Sequence, residues 1–152
     1  MQQNELLRNE LLAEVESIAP ILAEHAAPSE KLGRLDAPTI EAMRTTRLLR
    51  MYCPRELGGL EIDPVATLEI LEAVARIDGS AGWGLGILAG SGTIAGAYLP
   101  AVSARRIYAN GVPPMAGMVA PNGQADPVKG GYRVKGRWSF GSGLHHADWV
   151  IA

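Results

Sequence analysis

Gly130-Gly131-Tyr132-Arg133-Val134-Lys135-Gly136-Arg137-Trp138-Ser139-Phe140-Gly141-Ser142-Gly143 is the stretch on which the fold turns. Tyr132, Val134, Gly136 and Trp138 alternate with Arg133, Lys135 and Arg137, the two-residue period of a strand with one polar face. Lys129-Gly130-Gly131 ahead of it reads as a hairpin turn, and Gly141-Ser142-Gly143 behind it as a tight turn. Before Pro113-Pro114 the chain follows a different rule, the three-to-four-residue period of helices.

Working outward, Leu7, Leu11, Val15, Ile18 and Leu22 trace the apolar stripe of a helix from about residue 3 to 26, kinked at Pro20. A second helix is expected from about 37 to 49, with Asp36 as cap and Pro38 in the first turn. A third begins at Pro64 behind the cap Asp63, stops just before Gly79, and is apolar enough to be largely surrounded. Ser80 is expected to cap a fourth helix that runs to about residue 98, and a fifth spans 100 to 109. Beyond the prolines, Met115 to Ala120 reads as a strand, Pro121-Asn122-Gly123 as a turn, and His146 to Ala152 as the next strand. The expected class is α+β: an N-terminal α-helical bundle over residues 1–112, followed at 113–152 by the beginning of an antiparallel β domain. That domain reads as incomplete, because the sequence ends inside an apolar run, so the chain is expected to be a fragment or to be completed by another chain.

The 152 residues are 47% hydrophobic and 20% charged, the balance of a globular protein. A net charge of −2 with scattered basic residues leaves no surface suited to nucleic acid. A single cysteine, Cys53, rules out an internal disulfide and any CxxC metal site. The N-terminus lacks the basic and apolar regions of a secretory signal, and a cytoplasmic location is expected. Residues 79–104 carry no charge and exceed the ~20 positions that span a bilayer. Seven glycines, Ser80, Ser91, Thr93 and Pro100 favour instead a buried central helix, with Gly82, Gly86 and Gly90 forming a ridge that admits a close neighbour.

Gly84-Leu85-Gly86-Ile87-Leu88-Ala89 has the form of a dinucleotide fingerprint, but it needs a strand before it and an acidic residue about twenty positions after it. Neither is present, and helix packing explains the glycines. His145-His146 would point to opposite faces of a strand, which argues against a metal site. His146 near Asp148 is a candidate acid–base pair, with a solvated pair as the simpler reading. Gly141-Ser142-Gly143 lacks the G-x-S-x-G elbow of a serine hydrolase. Trp138 and Phe140 with the Ser142 hydroxyl offer flat apolar faces and a hydrogen-bond donor, the mixture that an isoalloxazine ring requires.

Taken together, Arg50-Met51-Tyr52-Cys53-Pro54-Arg55-Glu56-Leu57-Gly58-Gly59-Leu60-Glu61, Asp78-Gly79-Ser80-Ala81-Gly82-Trp83, Pro121-Asn122-Gly123 and the 130–143 stretch resemble the acyl-CoA dehydrogenase superfamily. They are most similar to its hydroxylase branch, the oxygenase components of two-component flavin-dependent monooxygenases such as 4-hydroxyphenylacetate hydroxylase. The resemblance implies a flavin, FMN or FAD, supplied reduced by a separate reductase, and a small-molecule substrate. It implies that Trp83, Trp138, Phe140 and Ser142 contact the flavin, with Ser142 near N5 as the catalytic hydroxyl. It also implies a homo-oligomer, commonly a tetramer. Ser91 stands where the phenol hydroxylases place a substrate-side histidine, and Met118 where they place a serine, so the implied pocket suits a more apolar molecule than a phenol. Two alternatives remain: an acyl-CoA dehydrogenase that oxidises a thioester with FAD, and a non-catalytic helical interaction module.

Overall fold

The apolar stripe expected on the first helix is the spine of the core. Leu11, Val15, Ile18 and Leu22 are all at most 5% exposed, each such burial being worth about 1.5–3 kcal/mol. The computed structural model describes residues 2–118, 120 and 122–152. Helix α1 (Gln2–Leu32) runs past its expected end and carries both Pro20 and Pro28 inside it. Helix α2 (Ala37–Arg44) starts where Asp36 accepts the Thr39 N–H at 3.1 Å. It stops short of residue 49 because the Thr45 and Thr46 hydroxyls donate back to the Ala42 and Met43 carbonyls, both at 2.7 Å. Such local bonds compete with helix propagation, and the chain continues as a 3-10 turn at Leu48–Arg50.

Helix α3 (Pro64–Ile77) has the expected cap, with the Asp63 carboxylate accepting from Val65 N–H at 2.9 Å. It is less enclosed than its sequence indicated, since Val65 and Leu68 are 64% and 66% exposed. Helix α4 (Gly79–Tyr98) is capped by Asp78 rather than Ser80: the carboxylate accepts from the N–H groups of Ser80 and Ala81, both at 3.1 Å. The fingerprint-like glycines lie in the interior of this helix. Helix α5 (Ala101–Ile107) is followed by a turn with Gly111 at φ 105°. No helix among the described residues is long and apolar enough to cross a membrane.

The glycine ridge reduces to one contact. A Cβ on Gly82 would lie 2.7 Å from the Ala75 Cβ and 2.8 Å from its Cα, so only glycine lets α4 and α3 approach this closely. At Gly86 the nearest atom, on Leu71, is 3.7 Å away, and at Gly90 nothing lies within 4 Å.

Strands β1 (Met115–Gly117), β2 (Gly123–Val128), β3 (Gly131–Gly136) and β4 (Trp149–Ile151) follow. β2 and β3 form an antiparallel hairpin, Gly123 opposite Gly136, through the expected turn with Gly130 at φ 88°. Both its faces are exposed. β1 lies on α4 with Met115 and Ala116 buried, and pairs in parallel with β4, Met115 opposite Trp149. The strand expected from His146 begins only at Trp149, since Leu144–His146 is a 3-10 turn. Arg44 fixes that segment to α2, its guanidinium donating to Asp148 at 3.0 Å and to the His146 carbonyl at 3.1 Å. Val119 in the first expected strand and Pro121 in the expected turn lie outside the described residues.

The junction of α1 and α2 is held by a buried ion-pairing group. The Asp36 carboxylate lies 2.5 Å from His25 Nδ1, and its backbone N–H donates to Ser29 Oγ at 3.0 Å. Burial works against this carboxylate, but hydrogen bonds from Thr39 and the charge and hydrogen bond of His25 hold its carboxyl below the ordinary value. A carboxyl lowered in the folded state adds stability above its unfolded value of about 3.9, lost as pH falls through the lower folded value. Asp36→Asn therefore lowers stability at neutral pH by about 1 kcal/mol and reduces the acid dependence of the urea midpoint below about pH 4. The same titration separates two glycines of one helix. Gly82→Ala costs about 1–3 kcal/mol by overpacking against Ala75, whereas Gly90→Ala gains about 0.5–1 kcal/mol.

Candidate functional site

Because Gly82 faces α3, the next residue is turned about 100° round the helix, and Trp83 emerges from α4 with 64% of its surface exposed. It separates two hollows. One, of about 450 Å³, is apolar and lies between α3 and α4, bounded by Leu68, Leu71, Ala75 and Ile87. The other, of about 670 Å³, has a mixed lining and brings together residues far apart in the sequence.

The end of α1 and the turn after it form one wall of the larger cavity, through Ser29, Glu30, Gly33, Arg34 and Leu35. The Leu35 side chain packs on Gly84, where a Cβ would approach it to 2.7 Å, and this contact sets the turn against α4. The second wall is the start of α4, with Ser80 and Trp83. The third is Gly141, Ser142 and Gly143 with His145 and His146. Gly143 adopts φ 78° and lies so close to α4 that a Cβ would be 3.0 Å from Leu88 Cδ2. A left-handed residue pressed on a neighbour admits only glycine, and it turns the chain so that Ser142 and the following histidines share one wall.

Trp83 and Ser142 thus line a single cavity. Trp138 and Phe140 do not line it. The Trp138 ring lies across the hairpin at Gly123 and Gly136, where added Cβ atoms would stand 2.3 and 2.5 Å from it. Its indole Nε1 is buried without a hydrogen-bond partner. Phe140 is 95% exposed and has φ 61°, a strained conformation for an aromatic residue. Met118 is the neighbour of the cavity wall, with Sδ 3.7 Å from where a Gly141 Cβ would be. Ser91 is buried beneath β1, with Oγ 3.2 Å from the corresponding point on Gly117.

Arg34 is the residue that sequence reasoning missed; the two histidines were singled out, but as a strand pair with His146 beside Asp148 and not as residues of this cavity. As consecutive strand residues His145 and His146 would face apart. On the 3-10 turn both reach the cavity, with ring centroids 6.4 Å apart. The φ-positive position that a glycine permits after Ser142 was the available cue; for Arg34, more than a hundred residues away, there was none. Burial, then the charges of His145, Arg34 and Arg44, hold His146 below the usual histidine value and favour its neutral ring. The expected pair of His146 with Asp148 is not formed, because Asp148 is bound by Arg44. Among the described residues no group of three or more His, Cys, Asp or Glu side chains is placed to hold a metal. Cys53 is fully buried, and burial pushes its thiol up to about 11, so it is not a nucleophile.

Comparison with known proteins places this geometry in a family. The chain is 36% identical over 122 residues to the indole-3-acetate monooxygenase of Pseudomonas putida, covering 80% of this chain and 31% of that protein. It is 31% identical over 143 residues to a pigment production hydroxylase of Rhodococcus erythropolis, covering 93% of this chain and 36% of the relative. Among solved structures, XiaF from Streptomyces sp. in complex with FADH2 and glycerol superposes with a TM-score of 0.91 at 27% identity, over 98% of this chain and 38% of that one. The 3-HSA hydroxylase from Rhodococcus sp. RHA1 superposes at 0.82 with 28% identity, over 93% and 36%. The chain spans about a third of the length of these curated relatives. Residues 4–116 match the profile of the acyl-CoA dehydrogenase N-terminal domain, and the chain belongs to that family.

Proposed function

We propose that this chain is the helical front and the start of the β domain, divided near residues 112 and 113, of the oxygenase component of a two-component flavin-dependent monooxygenase. The observation that carries the reading is the convergence of Trp83 and Ser142 on one cavity from segments almost sixty residues apart. The donor set fits a flavin: an exposed indole offers a flat apolar face, and a hydroxyl beside the left-handed Gly143 offers a hydrogen bond to a ring heteroatom. Reduced flavin, when bound, supplies the activation of O2 for insertion into a small organic substrate. Trp83 would hold the ring, and the Ser142 hydroxyl would donate a hydrogen bond toward N5.

The names of the relatives favour this over thioester dehydrogenation, since those compared are monooxygenases or hydroxylases. FAD is favoured over FMN by the FADH2 held in XiaF and by the FADH2-dependent resorcinol hydroxylase of Rhizobium sp., an oxygenase component 27% identical to this chain. The same reading includes a separate flavin reductase as partner and a cytoplasmic homo-oligomer. Met118 and the buried Ser91 remain assigned to the substrate side, with Met118 nearer the cavity. The assignment of Trp138 and Phe140 to the flavin rests on the resemblance alone, since neither lines the cavity.

Two outcomes test it. With reduced flavin supplied by a reductase, Ser142→Ala lowers the yield of oxygenated product per NADH about tenfold to a hundredfold, the worth of one hydrogen bond to a charge-bearing group. Trp83→Ala weakens flavin binding as well. Unchanged coupling and affinity in both variants would refute the reading. Phe140→Gly relieves the φ 61° strain at little loss of burial and raises thermal stability by about 1 kcal/mol. A flavin titration of the same sample tests the Phe140 assignment: weaker binding supports it and unchanged binding removes it.

A further inference from the structure

We infer that the corner of the Trp83–Ser142 cavity formed by Arg34, His145 and His146 is an anion-recognition site, so that what occupies the cavity presents a carboxylate or phosphate group there while its ring faces Trp83. This deepens the flavin reading and rests on it only for the identity of the ring.

The charges around the corner decide the matter. Arg34, His145 and His146 line both the Trp83–Ser142 cavity and an adjoining hollow of about 780 Å³ against α2. The charged groups of that second hollow are already matched. Asp36 is held by His25 at 2.5 Å and by the Thr39 N–H, and Asp148 by Arg44 at 3.0 Å. Glu41 lies 3.9 Å from the same Arg44 guanidinium. Arg34, by contrast, makes no salt bridge among the described residues, and His146 Nε2 is buried with no hydrogen-bond partner. The carboxylate that shares the Trp83 cavity is Glu30, exposed on the last turns of α1 and likewise outside any salt bridge.

The Arg34 guanidinium is a fork of N–H donors outside any salt bridge, and the buried, unpartnered Nε2 of His146 adds a donor in the tautomer or charge state that an anion selects. A buried polar atom left unpaired costs free energy that an incoming acceptor recovers, and bidentate guanidinium binding suits carboxylate and phosphate alike. The depressed titration of His146 comes first from burial and then from the charges of His145, Arg34 and Arg44, and those charges are the field an anion would neutralise. Trp83 and the Arg34–histidine corner line the same cavity, which suits an aromatic or planar body that carries an anionic group.

The anion has two chemical sources, the flavin's phosphate or an acidic substrate, and two matched pairs of probes distinguish them. Benzoate is compared with benzamide, and FMN with riboflavin, by fluorescence titration of the chain and of its Arg34→Ala and His146→Gln variants. Charged members are expected to bind more tightly than their neutral twins, and Arg34→Ala to remove about tenfold of that preference while leaving the neutral members unchanged. A loss confined to benzoate assigns the anion to the substrate, and a loss confined to FMN assigns it to the flavin; both support the site. In parallel, inorganic phosphate should move the His146 imidazole titration upward by NMR. Absence of any preference for the charged partners, including absence of binding, together with an unmoved His146 titration, overturns the inference. Flavin binding without charge preference would leave the flavin reading standing and remove this site; benzoate preference without binding of either flavin would do the reverse.

Discussion

The close approach of α3 and α4 at Ala75 and Gly82 governs the geometry of everything that follows. Glycine at this point brings the two helices together by the depth of a side chain, and the period of the helix then turns Trp83 outward. The rest of α4 is a platform. Leu85 and Leu88 are buried in the core beneath it, Gly84 receives Leu35, and Leu88 receives the Gly143 turn. A residue with bulk at position 82 would move the surface against which two of the three cavity walls are seated.

Around that platform the cavity is closed by connections between distant parts of the chain. Arg44 on α2 reaches Asp148 and the His146 carbonyl, and the Asp148 N–H donates to the Pro114 carbonyl at 2.9 Å. These bonds join the second helix, the start of β1 and the histidine turn in one network. Exposed pairs of this kind are each worth little, but Arg44 combines ion pairs to Asp148 and Glu41 with a hydrogen bond to the His146 carbonyl and so fixes position more than it adds stability. Arg47 plays a comparable part lower down, donating to Glu10 at 3.0 Å and to Glu14 at 2.5 Å, and both carboxylates raise its already high titration.

What the sequence revealed was local chemistry. The caps Asp36 and Asp63, the α1 stripe and the Gly130 turn each follow from a few adjacent residues, and all four stand as read. Errors arose where two local rules competed. Thr45 and Thr46 ended α2 early by bonding to its carbonyls, and Asp78 took the capping place assigned to Ser80 because its carboxylate lies one turn ahead of the first free N–H groups. The parallel pairing of β1 with β4, the sharing of one wall by His145 and His146, and the presence of Arg34 opposite them depend on contacts across thirty to more than a hundred positions. No periodicity encodes such pairings. Trp83 and Ser142 were legible as candidates through their resemblance to a family pattern, and the packing of α4 explains why they meet; Trp138 and Phe140 shared that pattern, yet one ring is drawn to a glycine pair on the hairpin and the other is held in solvent by a strained backbone.

The claim underlying this account is that Trp83 and Ser142 face one another across a single cleft. It is tested by attaching a nitroxide to Ser142→Cys in a chain whose other two tryptophans, Trp138 and Trp149, are phenylalanine; buried Cys53, with its thiol pushed up to about 11, stays unlabelled. Strong quenching of Trp83 emission in the folded protein, relieved by urea, is the result expected. Emission from Trp83 that is equally bright with and without the nitroxide would contradict it.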